Sequence, residues 1–224
     1  ANILGPVEVL NAGVALAGRS TLDAAIEVAQ NGNVINVAQG TAVSLGAVIS
    51  ANVQITGSLA LTKDSFADVA ILSSLCSKAS GASRTVDVAG MTADQVAAVA
   101  TNRGSFTAQT VLNPLYAINA ANAAGMRTAL YVAFVDLSGY DALSSANQAN
   151  VSTDLVANRG AGYASVEVTG QLCGTTTHFR AMAEAALGGS ALADADMAAG
   201  GRFVAFRDAR NALGSASTVG ETVN

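Results

Sequence analysis

Three acidic side chains occupy the same position in copies of one pentapeptide, and they are the strongest candidates for chemistry in this sequence. The copies read VQITG, VDVAG, VDLSG and VEVTG, at residues 53–57, 86–90, 135–139 and 166–170. Asp87, Asp136 and Glu167 are the second residues of the last three copies, and Gln54 is the second residue of the first. In a β-strand the second residue faces away from the first and third. Four stacked strands would therefore align these polar side chains in one column.

A column of carboxylates predicts two kinds of chemistry. Carboxylate oxygens are ligands that calcium prefers, and a pair of carboxylates is the machinery of glycoside hydrolysis. The same alternation also arises on the solvated face of half-buried strands, without any site. Like charges on adjacent strands, about 4.8 Å apart, repel unless a cation lies between them. We interpret the acids as structural; Asp87, Asp136 and Glu167 are the catalytic carboxylates if the protein is an enzyme, and the ligands if it binds calcium.

The remaining reactive side chains form no catalytic set in the sequence. His178 is the only histidine, and no G-x-S-x-G motif accompanies it. Cys76 and Cys173 are candidates for a disulfide if the protein is exported, and for two buried thiols otherwise. GAGYAS at residues 160–165 follows a predicted helix and precedes a predicted strand, the reverse of a dinucleotide-binding loop. We therefore expect a protein that is not an enzyme and has no cofactor other than calcium.

The elements that would carry the pentapeptides begin with a short helix. Ser20 or Thr21 can cap it, Asp23 suits its first turn, and Asn31–Gly32 ends it. Short strands separated by glycine or asparagine follow, up to Gly57. This helix, the turn, V-I-x-V-A-x-G-T and V-x-I-T-G resemble the opening of right-handed parallel β-helix proteins, over about 40 residues. The resemblance implies a β-solenoid with intervening short helices; the alternative is a layered α/β fold.

From about residue 80 each predicted strand leads into a predicted helix. RTVDVAG precedes MTADQVAAVATNRG, in which Thr92 is the N-cap and Val96 and Val99 are buried. This pairing resembles the strand–helix repeats of bacterial secreted surface proteins. We expect residues 1–224 to form a single solenoid-like domain, with a sub-boundary near residues 76–84 between a β-rich part and a mixed strand–helix part.

The composition argues against nucleic acids and against a membrane span. Of 224 residues only 12% are charged and 4% aromatic, and 16 acidic against 11 basic side chains give a net charge of −5. Nucleic-acid binding needs clustered basic residues, so we expect none. The longest apolar run, residues 129–137, is too short to span a membrane and contains Asp136. Few lysines, many small polar residues and the first residue Ala1 favour an extracellular or cell-surface protein.

These patterns together predict a secreted structural protein that self-assembles into a filament, sheath or surface lattice. A surface poor in charge packs readily against copies of itself. The terminal segments, residues 1–18 and 214–224, are almost uncharged and are the expected contacts between copies; the first contains a strand able to pair outside its own chain. The alternatives are a β-helix polysaccharide lyase or hydrolase, and an adhesin or fibre-type binding module.

Overall fold

The computed structural model describes residues 5–167, 169 and 170, which belong to two compact units. The first unit contains residues 5–121 and 128–134. The second contains residues 122–127 and continues from residue 135. Both sheets lie in the first unit, whereas the described part of the second unit is helical.

A five-stranded mixed sheet forms one part of the first unit. Its order is β2–β1–β3–β4–β6, with β1 antiparallel to both of its neighbours and β3, β4 and β6 parallel to one another. Buried aliphatic residues alternate with less buried ones in β1, β3 and β4, as at Ile35 and Val37 on either side of exposed Asn36. The bounds are Val7–Asn11 for β1, Val14–Arg19 for β2, Val34–Val37 for β3, Val53–Thr56 for β4 and Ala79–Ser80 for β6.

A second, three-stranded sheet is entirely parallel and has the order β5–β7–β8. Its strands are Ser58–Leu61, Ser83–Asp87 and Val111–Leu112. The chain passes from the first sheet to the second at Gly57 and again at Gly81, where φ is +106° and +87°. A Cβ atom on Gly57 would lie 2.6 Å from the carbonyl oxygen of Val37, so only glycine fits this crossing.

In the first unit α1 contacts β1 and β2, α2 contacts α3 and β6, and side-chain oxygens cap the first turns of these helices. Thr21 caps α1, Asp68 caps α2, and Thr92 with Gln95 forms a capping box on α3. The largest fully buried side chains include Leu22, Ile35, Ile55, Leu59, Leu72 and Leu75, which come from both helices and strands. The bounds are Leu22–Ile26 for α1, Val69–Lys78 for α2, Ala93–Thr101 for α3 and Pro114–Ala120 for α4, and a 3-10 turn spans Arg103–Ser105.

Helix α5, Ala123–Val132, contributes to both units, and α6 and α7, Ser138–Asp141 and Ser145–Asn158, belong to the second. Tyr140 joins α6 to α7, because its hydroxyl donates to the carbonyl of Gln148 at 2.9 Å and lies 2.9 Å from the Ser152 hydroxyl. Buried tyrosines commonly anchor their hydroxyl group in this way.

The expected β-solenoid is wrong, because the described residues form a mixed α/β fold instead. Strands β1 and β2 form an antiparallel hairpin, whereas successive coils of a parallel β-helix all run the same way. The segments expected as later strands are also different. Residues 129–132 lie in α5, whose start is fixed by the Asn122 side chain accepting from Gly125 N at 2.9 Å, and residues 166 and 167 are helical.

Candidate functional site

The β1–β2 hairpin places β2, whose one charged residue is Arg19 at its end, at the edge of the five-stranded sheet. Ala12 and Gly13 make its two-residue turn, with φ of +48° and +81°, as a type I′ turn requires. Val7 and Val9 of β1 are buried and fix the hairpin against the core. Strand β2 is thereby presented at the sheet's edge.

Among the described residues β2 pairs with β1 only, so its outer side has no strand partner. Val14 is 66% exposed and Leu16 is 59% exposed, more than the other large hydrophobic side chains of the described chain. A bulge accompanies Leu16, because Ala15 pairs with Leu10 while Ala17 pairs with Val9. We call residues 14–18 of β2 the edge segment.

The edge segment has the chemistry of a strand-pairing surface. An edge strand offers unpaired backbone N–H and C=O groups, and proteins that avoid association usually place charges or proline there. The edge segment contains neither, and Arg19 is the first charged residue after it. An added strand would find both backbone hydrogen-bonding groups and apolar side chains at this edge.

Asp87 is the one candidate carboxylate that lies on a strand, and the local backbone uses it. It is half-buried at the end of β7. Its Oδ1 accepts from Ala89 N at 2.9 Å and from the Asn113 side-chain amide at 2.9 Å. Asn113 has φ of +53° and precedes α4. Asp87 therefore fastens the end of the parallel sheet to the start of a helix.

Asp136 and Glu167 are exposed residues of the second unit, and neither lies on a strand. The Oδ1 of Asp136 accepts from Ser138 N at 2.9 Å at the start of α6. Hydrogen bonds from the Ser138 backbone and hydroxyl lower the pKa of Asp136, since they favour the charged carboxylate. Glu167 lies in a helical turn, so the polar column expected from stacked strands does not describe these acids.

The first pentapeptide does form the strand expected of it, β4, with Gln54 exposed. Its sheet neighbours are Val34 and Ser80, which carry no charge. Within the described residues no three His, Cys, Asp or Glu side chains group as metal ligands. The calcium site stays a prediction.

Only one of the two cysteines, Cys76, lies within the described residues. Cys76 is half-buried on α2. Its expected disulfide partner Cys173, the single histidine His178 and the terminal segment 214–224 lie outside the described residues.

The sequence pointed to residues 1–18 as a contact segment but did not identify which side chains would be exposed. The available signal was the pair Ala12–Gly13 between two apolar runs, which marks a hairpin turn weakly because alanine rarely adopts positive φ. An Asn-Gly pair would have revealed the hairpin, and with it an edge strand.

No helix within residues 5–167, 169 and 170 has the length and apolar character needed to cross a bilayer. Comparison with protein-family models, with curated proteins and with solved structures finds no match to the chain.

Proposed function

We propose that this protein is a secreted structural subunit that self-assembles into an extracellular filament, sheath or surface lattice, with the edge segment as a contact between copies. The single observation that carries the proposal is the exposure of Val14 and Leu16 on the uncharged part of an edge strand. Large apolar side chains beside unpaired backbone groups form a template for another strand. The proposed occupant is the β2 strand of a second copy.

Charge determines the direction of the proposed pairing. In a parallel pair the two Arg19 side chains would lie side by side and repel. In an antiparallel pair about a two-fold axis near Leu16, they lie six residues apart, which is roughly 20 Å at about 3.4 Å per residue. The antiparallel pair therefore removes the only charge conflict and brings the two Leu16 side chains together.

A pair of this kind is closed, because a two-fold contact uses the same surface on both copies. Continuation into a filament or lattice needs a second contact. The carboxyl-terminal segment 214–224 was expected from the sequence to supply one, and it keeps that role in the proposal.

The test replaces Val14 and Leu16 by lysine, singly and together. We expect the unaltered protein to associate as its concentration rises, and the V14K/L16K protein to associate at least tenfold more weakly, because two buried charges would oppose the pairing. Sedimentation velocity measures the association, and negative-stain microscopy shows the assemblies.

Val48→Lys is the matched control. Val48 is 54% exposed and lies outside the strands, so the gain of one positive charge there, the same as in each single variant, should not weaken association. Circular dichroism establishes that each variant is folded. A protein that remains monomeric at high concentration, in several salts and with calcium, would contradict the proposal, as would equal weakening by Val48→Lys.

A further inference from the structure

The guanidinium group of Arg103 lies against two aromatic rings of the first unit. Its Cζ atom is 4.2 Å from the ring centre of Tyr131 and 3.9 Å from that of Phe134. Arg103 begins the 3-10 turn after α3, whereas Tyr131 lies on α5 and Phe134 follows α5. Cation–π contact fixes the guanidinium by its faces and makes no demand on its in-plane N–H groups.

Those N–H groups have no acceptor in the described part of the chain. The Nε atom of Arg103 is buried and makes no hydrogen bond with the described residues. Arg84 also has an unpaired buried Nε, but its Nη2 donates to the carbonyl oxygens of Leu75 and Ala79. Arg84 thus hydrogen-bonds the backbone at the end of α2, whereas the Arg103 guanidinium makes no such bond among the described residues.

The backbone beside this cation is strained. Phe134 has φ of +61°, a left-handed conformation that costs a side chain with a Cβ atom about 1–2 kcal/mol. It closes the end of α5, where glycine is the usual residue, by donating its N–H to the carbonyl of Tyr131 at 3.1 Å. A bulky ring at this position is explained by its contact with Arg103, and such strain concentrates at functional sites.

We propose that Arg103, Tyr131 and Phe134 form a binding site for a carboxylate group, a function separate from the edge segment. An unpaired guanidinium offers two parallel N–H groups that match a carboxylate, and an unpaired buried donor calls for a missing acceptor. A phosphate dianion fits less well, since Arg103 is the one cation at the two rings in the described contacts. The carboxylate comes either from a small acid or from an acidic side chain of a second copy.

The experiment titrates the full-length protein with sodium acetate, and with sodium chloride at equal ionic strength. The readout is the side-chain Nε–H resonance of Arg103, assigned by its loss in Arg103→Lys. We expect a saturable shift with acetate and none with chloride. Tyrosine fluorescence gives a second readout. We expect the fluorescence change caused by acetate to be at least tenfold smaller in Arg103→Lys, because lysine keeps the positive charge but lacks the two parallel N–H donors.

Lys63→Gln is the control, because Lys63 is an exposed cation already paired with Asp64 at 2.7 Å. Acetate binding should be unchanged in this variant. Linear shifts that chloride reproduces, or an unchanged response in folded Arg103→Lys, would overturn the proposal. Sedimentation in acetate separates the two sources of the carboxylate. If acetate dissociates the assemblies of the unaltered protein and has no such effect on Arg103→Lys, the carboxylate belongs to another copy. If acetate gives a saturable shift and leaves the assemblies unchanged, the ligand is a small acid.

Discussion

At the scale of single residues, Gln95 links more backbone groups than any acid predicted to be functional. Its Oε1 accepts from Thr92 N at 3.1 Å, which completes the capping box of α3. Its Nε2 donates to the carbonyl oxygens of Lys63 and Phe66, at 2.7 and 2.8 Å. One buried amide therefore holds the loop after β5 against the start of a helix.

Replacing Gln95 by glutamate tests this role. A carboxylate cannot donate to the two carbonyl oxygens and would face them at close range, so we expect a loss of about 1–3 kcal/mol at pH 7. These carbonyls and burial raise the pKa of the introduced carboxyl above its ordinary value of about 4.3. The protonated form can donate, so the loss should shrink as pH falls toward 4 and grow as pH rises. Urea unfolding at several pH values measures it.

Gln95→Ala is the comparison variant, since it removes the same hydrogen bonds without adding a titratable group. Its stability relative to the unaltered protein should not change with pH. A loss in Gln95→Glu that is equally independent of pH would show that the amide donor is not what matters.

At the scale of elements, replacing two glycines that have positive φ distinguishes the cost of backbone strain from the cost of a steric clash. Gly40 has φ of +82°, and a Cβ atom added there would meet no other group within 4 Å, whereas a Cβ atom added to Gly57 would lie 2.6 Å from the Val37 carbonyl oxygen. We expect Gly40→Ala to lose about 1–2 kcal/mol from backbone strain alone. Gly57→Ala should lose clearly more, because β3 and β4 must also move apart. Thermal and urea unfolding of the two variants measure the difference, and equal losses would contradict it.

The sequence predicts a helix or strand where residues close together in the chain determine it. The capping box at Thr92 gave α3, and alternation around Ile35 and Ile55 gave β3 and β4. VDLSG and VEVTG fit the same pattern, yet Asp136 lies before α6 and Glu167 in a helical turn, because alternation over five residues cannot exclude a helix. The exposure of Val14 depends on which strand lies at the edge, and that follows from sheet order alone.

At the scale of the whole molecule, net charge and the proposed contact act in opposite directions. The chain carries a net charge of −5, with a pI near 4.7, so copies repel one another at neutral pH. The edge segment contributes no charge to the contact. Added salt should therefore screen the repulsion without breaking the contact.

We expect association to strengthen as sodium chloride rises from low to physiological concentration, and as pH falls from 7 toward the pI. Light scattering and sedimentation at fixed protein concentration measure both trends. The V14K/L16K protein provides the control, since weak association at every salt concentration identifies the edge segment as the contact. Dissociation of the unaltered protein by salt would instead indicate a contact made by ion pairs.

The crossings at Gly57 and Gly81 also constrain how the gene can change in length. One residue joins β4 to β5, and residues 81 and 82 join β6 to β7. Inserting or deleting a single codon there would reverse the inward and outward faces of a strand relative to its neighbours, in a place where no loop can absorb the change. Length variation should therefore accumulate in exposed turns that carry no buried side chain, such as residues 38–42 between β3 and β4.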